Sequence, residues 1–218
     1  MDRFQSELQR LYSSPGGGQA RAMVVELSRP ASWGPLARVW RGVQADLDLP
    51  APAIAVSGSE GYQLWFSLAE PVPEAQAIAF LESLRRRYLA DIAAERVSIL
   101  PAADALVPGA ERTPGRWSAF VAPDLAVLFA DEPWLDLSPG ADAQADLLSR
   151  LQGTTPQDWK RALERLGTVD LPAAAQGGAA ASPAGSQDAK TFLRAVMNDA
   201  SIDMHLRIEA AKALLPWS

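Results

Sequence analysis

The spacing of apolar residues switches repeatedly between the helical and the strand period. Phe4, Leu8, Leu11 and Tyr12 fall on one face of a helix over 2–13, and Ser13-Ser14-Pro15-Gly16-Gly17-Gly18 stops it. Met23, Val24, Val25 and Leu27 mark a buried strand over 20–27. From Pro30 the helical period returns, with Leu36, Val39, Trp40, Val43 and Leu47 forming a stripe that Pro50 and Pro52 end. The next stretch, Ala53 to Glu70, reads as a hairpin. Ile54 and Val56 lie in the first strand, and Ser57-Gly58-Ser59-Glu60-Gly61 is turn chemistry. Tyr62, Leu64, Phe66 and Leu68 then alternate with Gln63, Trp65 and Ser67, so the second strand has two distinct faces. Ile78, Leu81, Leu84 and Tyr88 predict the inner side of a helix over 73–90.

Past residue 90 the signals shorten. Residues 95–100 and 116–121 read as strands, separated by a Pro/Gly-containing loop over 101–115 whose length points to function. Asp124 to Phe129 predicts a turn or two of helix, and Pro133-Trp134-Leu135 an anchored loop. Helices follow over 141–152 and 156–166, the second with Thr155 as N-cap and Pro156 at its first position. Residues 170–187 are almost all Ala, Gly, Pro, Ser and Gln, a composition that buries no core. The expected organisation is a mixed α/β or α+β domain over 1–169, a flexible linker over 170–187, and a helical hairpin over 188–218. Phe192, Leu193, Val196 and Met197 mark one helix of that hairpin, and Leu206, Ala210, Ala213 and Leu214 the other. Two short helices are marginal alone, so this pair is expected to dock on its own domain, on a second copy or on a partner.

Composition narrows the chemistry. The absence of cysteine excludes disulfides, thiolate nucleophiles and Cys-ligated zinc. The single histidine, His205, reads as a surface residue and leaves no basis for a Ser/His/Asp triad or a His-rich metal site. A net charge of −6 argues against non-specific nucleic-acid binding by the whole surface but permits a local basic patch. Arg85-Arg86-Arg87 reads first as a solvated face beside a helix C-terminus, and second as a phosphate contact. No run reaches the ~18 apolar residues of a membrane span, and no signal-peptide core opens the chain, so a cytoplasmic location and no membrane partner are expected.

Candidate binding residues cluster around the hairpin. Ser57, Gly58, Ser59 and Gly61 read as an ordinary turn, or as one whose backbone N–H groups meet a phosphate. Gln63 and Trp65 share a strand face, where the indole is either covered by a helix or free to stack on a base. Arg112, Arg116 and Trp117, after the long loop, line a pocket with Gln63 or form an exposed strand edge.

The blocks Leu36–Pro50, Ala53–Leu68 and Glu70-Pro71-Val72 together resemble the catalytic core of archaeo-eukaryotic-type primases, over residues 20–121. The resemblance implies an RRM-like fold, an α+β domain with a mixed or antiparallel sheet backed by helices. In that family a strand carries an acidic pair, a Ser-Gly-x-Gly-x-His-Leu-Trp-like hairpin carries a histidine for the incoming nucleotide, and a third acidic residue completes the metal site. Here Glu26-Leu27-Ser28 stands at the pair, Gln63 at the histidine, and Glu95 is the candidate for the third position. Two-metal phosphoryl transfer needs several carboxylates holding cations about 4 Å apart. A glutamine cannot bring positive charge to a triphosphate. The expectation is therefore a degenerate primase-like domain, leaning away from an enzyme and without a cofactor, that binds a nucleotide, a single-stranded nucleic-acid end or a protein partner. The alternative is an active nucleotidyltransferase holding Mg or Mn on Glu26 and Glu95. A second resemblance, of Phe192–Asp199 and Leu206–Pro216 to a helical segment of phage small-terminase-like and related bacterial proteins, implies a structural role, with self-association or partner binding through 188–218.

Overall fold

In the computed structural model the described residues are 2–101 and 107–167, all within one unit, Met1–Ala174. The expected linker, the helical hairpin over 188–218 and His205 lie outside the described residues.

The elements run α1 (Arg3–Tyr12), β1 (Gln19–Ser28), α2 (Trp33–Ala45), β2 (Ala53–Val56), β3 (Gly61–Pro73), α3 (Glu74–Tyr88), β4 (Val97–Leu100), β5 (Glu111–Thr113), β6 (Arg116–Trp117), β7 (Ala119–Val121), α4 (Ala141–Ser149) and α5 (Pro156–Leu166). Short 3-10 turns cover Ala94–Arg96 and Ala126–Phe129. The main sheet has five strands in the order β4-β1-β3-β2-β7, every neighbouring pair antiparallel. This is the α+β architecture with an antiparallel sheet backed by helices. The hairpin β2–β3 is its centre.

Both faces of the sheet are covered, which the alternation along the strands makes possible. Val25 and Leu27 of β1, Ile54 and Val56 of β2, and Tyr62, Leu64, Phe66 and Leu68 of β3 point to one face. Leu36, Val39 and Val43 of α2, Phe80, Leu81 and Leu84 of α3, and Trp159, Ala162 and Leu163 of α5 fill that layer. Ala22, Val24, Ala53, Ala55, Trp65 and Phe120 point to the opposite face, under Phe4, Leu11 and Tyr12 of α1 and Ala145 and Leu148 of α4. The register pairs Glu26 with Gln63, Ala55 with Gln63, and Glu26 with Ser98.

Helix ends follow their cap chemistry. Asp2 accepts the Gln5 N–H at 2.8 Å to start α1. Thr155 accepts the Asp158 N–H at 3.2 Å to start α5, which ends at Gly167 with φ 65°.

Two expectations need correction. Ile78 is exposed; the inner face of α3 is Ala77, Phe80, Leu81 and Leu84, one position out of phase with the expected stripe at its start. The strand expected over 116–121 is broken at Ser118, so that Arg116–Trp117 pair with Glu111–Thr113 in a separate two-stranded ribbon while Ala119–Val121 join the main sheet. The break has a physical cause. Ser118 turns aside to bond Ala110, donating its backbone N–H and its hydroxyl to the carbonyl at 2.9 Å each. The run Arg85-Arg86-Arg87 follows its first reading. Arg85 pairs with Glu82 at 2.8 Å, Arg87 with Asp46 at 3.2 Å, and Arg86 donates to the Ser83 hydroxyl at 3.0 Å. Arg85 and Arg87 are ion-paired and Arg86 is exposed, as on a solvated helix face.

Candidate functional site

On the face covered by α1 and α4, the strands turn from apolar to polar where β1 and β3 carry Glu26 and Gln63. The two are cross-strand partners, and their side chains meet. Gln63 Nε2 donates to Glu26 Oε2 at 2.7 Å, while Gln63 Oε1 accepts the Trp65 Nε1–H at 2.9 Å. An indole nitrogen only donates, so the amide oxygen must face it and the amide NH2 must face the carboxylate. The three residues form one directional chain from indole to amide to carboxylate. Gly61 makes room for it: a Cβ there would stand 2.6 Å from Glu26 Oε1.

Trp65 is 1% exposed. Its ring meets Tyr12 of α1 edge-on at 5.2 Å and Phe120 of β7 at 6.0 Å. The expectation of a stacking surface at Trp65 is therefore corrected: α1 folds over the indole, which belongs to the core. Gln63 is 4% exposed and is held on both sides.

The turn Ser57–Gly61 is closed by its own hydrogen bonds. Ser57 N–H donates to the Gly61 carbonyl at 2.9 Å. Ser57 Oγ accepts the N–H groups of Ser59 and Gly61 at 3.2 and 3.0 Å. The Gly58 N–H donates to the Pro133 carbonyl at 3.1 Å. The amides expected to cradle a phosphate thus already have partners, which favours the plain turn. Gly58, at φ 76°, packs where a Cβ would come within 2.7 Å of the Ser118 nitrogen and 2.9 Å of Arg112 Cγ.

The expected metal positions are not brought into one cluster. Glu95 is exposed in the 3-10 turn before β4, and the register sets Ser98, not Glu95, across from Glu26. Among the described residues no group of three or more His, Asp or Glu side chains converges for an ion.

A cleft opens beyond the hairpin turn, with a volume of about 330 Å³. Arg29, Ser59, Glu60, Arg116, Asp131 and Trp134 line it. Arg116 lies over the Trp134 ring with its guanidinium carbon 3.9 Å from the ring centroid, a cation–π contact that holds the group without using its N–H edges. Neither the Arg29 nor the Arg116 side chain makes a hydrogen bond or ion pair with any described residue. Arg29 has φ 50°, in the left-handed region, directly after β1.

Of Arg112, Arg116 and Trp117, therefore, Arg116 reaches this cleft together with Ser59. Arg112 donates to the Val107 carbonyl at 3.1 Å, and the Trp117 backbone bonds Leu135. Gln63 is not in the lining, so the expected pocket joining it to these residues is replaced by one centred on Arg116 and Trp134. Sequence reasoning missed Arg29 and Trp134 as site residues. The signal for Trp134 was present, an aromatic flanked by Pro133 in an acidic loop, but nothing local ties it to Arg116.

In the core beneath the turn at Ala126, burial pushes the Tyr62 hydroxyl up to about 12, with the Phe129 backbone opposing the rise and the Asp131 charge adding to it. That phenol donates to the Ala126 carbonyl and anchors the following turn.

No family model matches the chain, and no curated protein matches it. Among solved structures, the chain is similar to the polymerase domain of Mycobacterium tuberculosis ligase D in complex with DNA, at 23% identity and a TM-score of 0.37. The match covers 74% of this chain and 61% of that one, so the chain spans under two thirds of that domain's length. A superposition this loose assigns neither a site nor an activity. No helix among the described residues is long and apolar enough to cross a membrane.

Proposed function

We propose that this domain is a primase-like recognition module that binds a nucleotide or a single-stranded nucleic-acid end without turning it over. The observation that carries the reading is the cleft at Arg29 and Arg116. Two guanidinium groups with free N–H edges stand at one concavity, one of them stacked on an indole. Arginine binds phosphate oxygens in forked pairs, and an aromatic face beside it suits a base. Ser59 adds a hydroxyl, and Glu60 and Asp131 add acceptors for the amino groups of a base.

The absence of turnover rests on the donor set at Glu26. Magnesium and manganese require hard oxygen ligands. Here the second position of the acidic pair is Ser28, and the one carboxylate, Glu26, is engaged by the Gln63 amide N–H at 2.7 Å. Glu95 lies out of register with it. The residues present do not fit a two-metal centre, so no transfer step is derived for this chain. Its residues bind and orient, and Glu26 holds Gln63.

The test is anisotropy of labelled single-stranded DNA and of labelled nucleoside triphosphates, with and without manganese, on the full chain and on Arg29→Ala/Arg116→Ala. Loss of two phosphate-directed arginines is expected to weaken binding by about tenfold or more and to flatten its salt dependence. Manganese is expected to change nothing. Equal binding by the double variant overturns the cleft, and manganese-dependent primer extension overturns the non-catalytic reading.

A further inference from the structure

The turn Ala126–Phe129 presents an apolar surface that the cleft does not use. Leu125, Val127 and Leu128 are 46%, 61% and 72% exposed. In a 3-10 turn positions i and i+3 eclipse, so Leu125 and Leu128 stand one above the other. These side chains do not sit on a loose loop. Ala126 is fully buried, Phe129 packs on the core, and the Tyr62 hydroxyl donates to the Ala126 carbonyl. A rigid element that holds large apolar side chains in water is the form of a binding hot spot, because its ordering cost is already met.

The stretch of chain that carries it is one-sided in charge. From Trp117 to Ser149 the chain contains no lysine or arginine. Asp124, Asp131, Glu132 and Asp136 are exposed and make no ion pair with any described residue. Arg29 and Arg116 line the cleft beyond Ala130, whereas the stretch bearing the turn itself offers only carboxylates, which repel phosphate and attract cationic side chains. A second copy of a chain with net charge −6 would on average meet repulsion as well.

We propose that Leu125, Val127 and Leu128, on a stretch of chain that also exposes Asp124, Glu132 and Asp136, form a docking surface for a basic amphipathic segment of a protein partner. Apolar side chains of the partner segment cover the leucines and valine, and its lysines or arginines meet the exposed carboxylates of this stretch, which set orientation and association rate.

The probe is a synthetic amphipathic helix of leucine and lysine, labelled for anisotropy and titrated with the full chain. The same peptide with glutamate for lysine is the charge control. Val127→Ser/Leu128→Ser is expected to weaken lysine-peptide binding by about tenfold while leaving single-stranded DNA binding unchanged. Asp124→Asn/Glu132→Gln/Asp136→Asn is expected to slow association and remove its salt dependence. Leu128→Ser alone, at the most exposed of the three positions, shows the same direction if the double variant folds poorly. The proposal is overturned by equal binding of the serine variants, by equal binding of the glutamate peptide, by absence of binding, by binding to phosphatidylglycerol vesicles that the serine variant loses, or by a dimer in sedimentation that the serine variant abolishes.

Discussion

At the residue scale the chain Trp65–Gln63–Glu26 makes a sharp prediction. Gln63→Glu keeps the shape and still accepts the indole N–H, but it replaces the donor facing Glu26 with a like charge. Two carboxylates at this spacing cannot both ionise freely, so one is held protonated above the normal carboxylate range. A folded-state pKa raised in this way helps folding at low pH and loses that help as pH rises through it. The variant should therefore unfold in urea about 1–2 kcal/mol more easily at pH 7, and the gap should narrow towards pH 4. A gap that does not change with pH rules out charge as its cause. Ser67 offers the opposite case. Its Oγ is buried with no hydrogen-bond partner. Ser67→Ala should stabilise the domain by roughly 0.5–1 kcal/mol, read as a higher urea midpoint; a lower midpoint would show that the hydroxyl's packing against the strand outweighs its desolvation. Glu26 and Gln63 were both legible in the sequence as site candidates. What it could not supply was their register, because strand pairing joins residues 37 positions apart in the chain through backbone bonds that leave no mark on either side chain. The fate of Trp65 was open for a related reason. Whether an indole on a strand face meets solvent or a helix depends on where α1 docks, and nothing within β3 encodes that.

At the element scale the sheet's edges show how little of its closure is local. β7 is an edge strand of three residues. Its outward peptide groups are met by one side chain: Gln144 of α4 accepts the Phe120 N–H at 2.8 Å and donates to the Phe120 carbonyl at 3.0 Å. This two-way contact takes the place of a sixth strand and blunts a surface that would otherwise invite pairing. Gln144→Leu keeps the bulk but leaves two buried backbone groups unpaired, each at a cost of about 1–3 kcal/mol. The expected loss is roughly 2–4 kcal/mol in chemical denaturation, together with a tendency to associate that sedimentation would register. A stable, monomer-like variant would show that water replaces the amide. Long periodic elements were readable in advance: α1, α2, α3, α5 and the β2–β3 hairpin stand near their expected bounds because each carries a full apolar stripe or a Gly/Ser turn. The ribbon β5–β6 was not readable. Its exposed residues Glu111, Arg112 and Thr113 carry no hydrophobic period, and its separation from β7 hangs on a single serine bonding across to Ala110.

At the scale of the whole molecule, one sheet divides two cores, and tyrosines sit in both layers and at a helix junction. Tyr62 belongs to the layer under α2, α3 and α5, while Tyr12 belongs to the layer under α1 and α4. Tyr88 lies between α2 and α3, donating to Asp46 at 3.0 Å. Burial raises all three hydroxyls, Tyr62 and Tyr88 to about 12 and Tyr12 further. For Tyr88 the bond to Asp46 adds to the rise and the Arg87 charge opposes it. An unfolded tyrosine titrates near 10. Below that pH both states are protonated and the preference for the neutral phenol is fully present. Above it the unfolded chain loses protons first, and stability falls until the folded-state values are passed. The urea midpoint should therefore be level from pH 8 to 10 and decline between 10 and 12. Tyr62→Phe removes one titrating group and should make that decline shallower, although the variant starts lower at pH 8 because the Ala126 carbonyl loses its partner. The same variant reaches across the molecule. Tyr62 ties the sheet's central strand to the turn that exposes Val127 and Leu128, so loosening it should raise amide exchange at Ala126–Phe129 before it does so in β1 or β3. If exchange instead rises evenly over the sheet, the turn is held by the packing of Ala126 and Phe129, and the buried hydroxyl acts on the core as a whole.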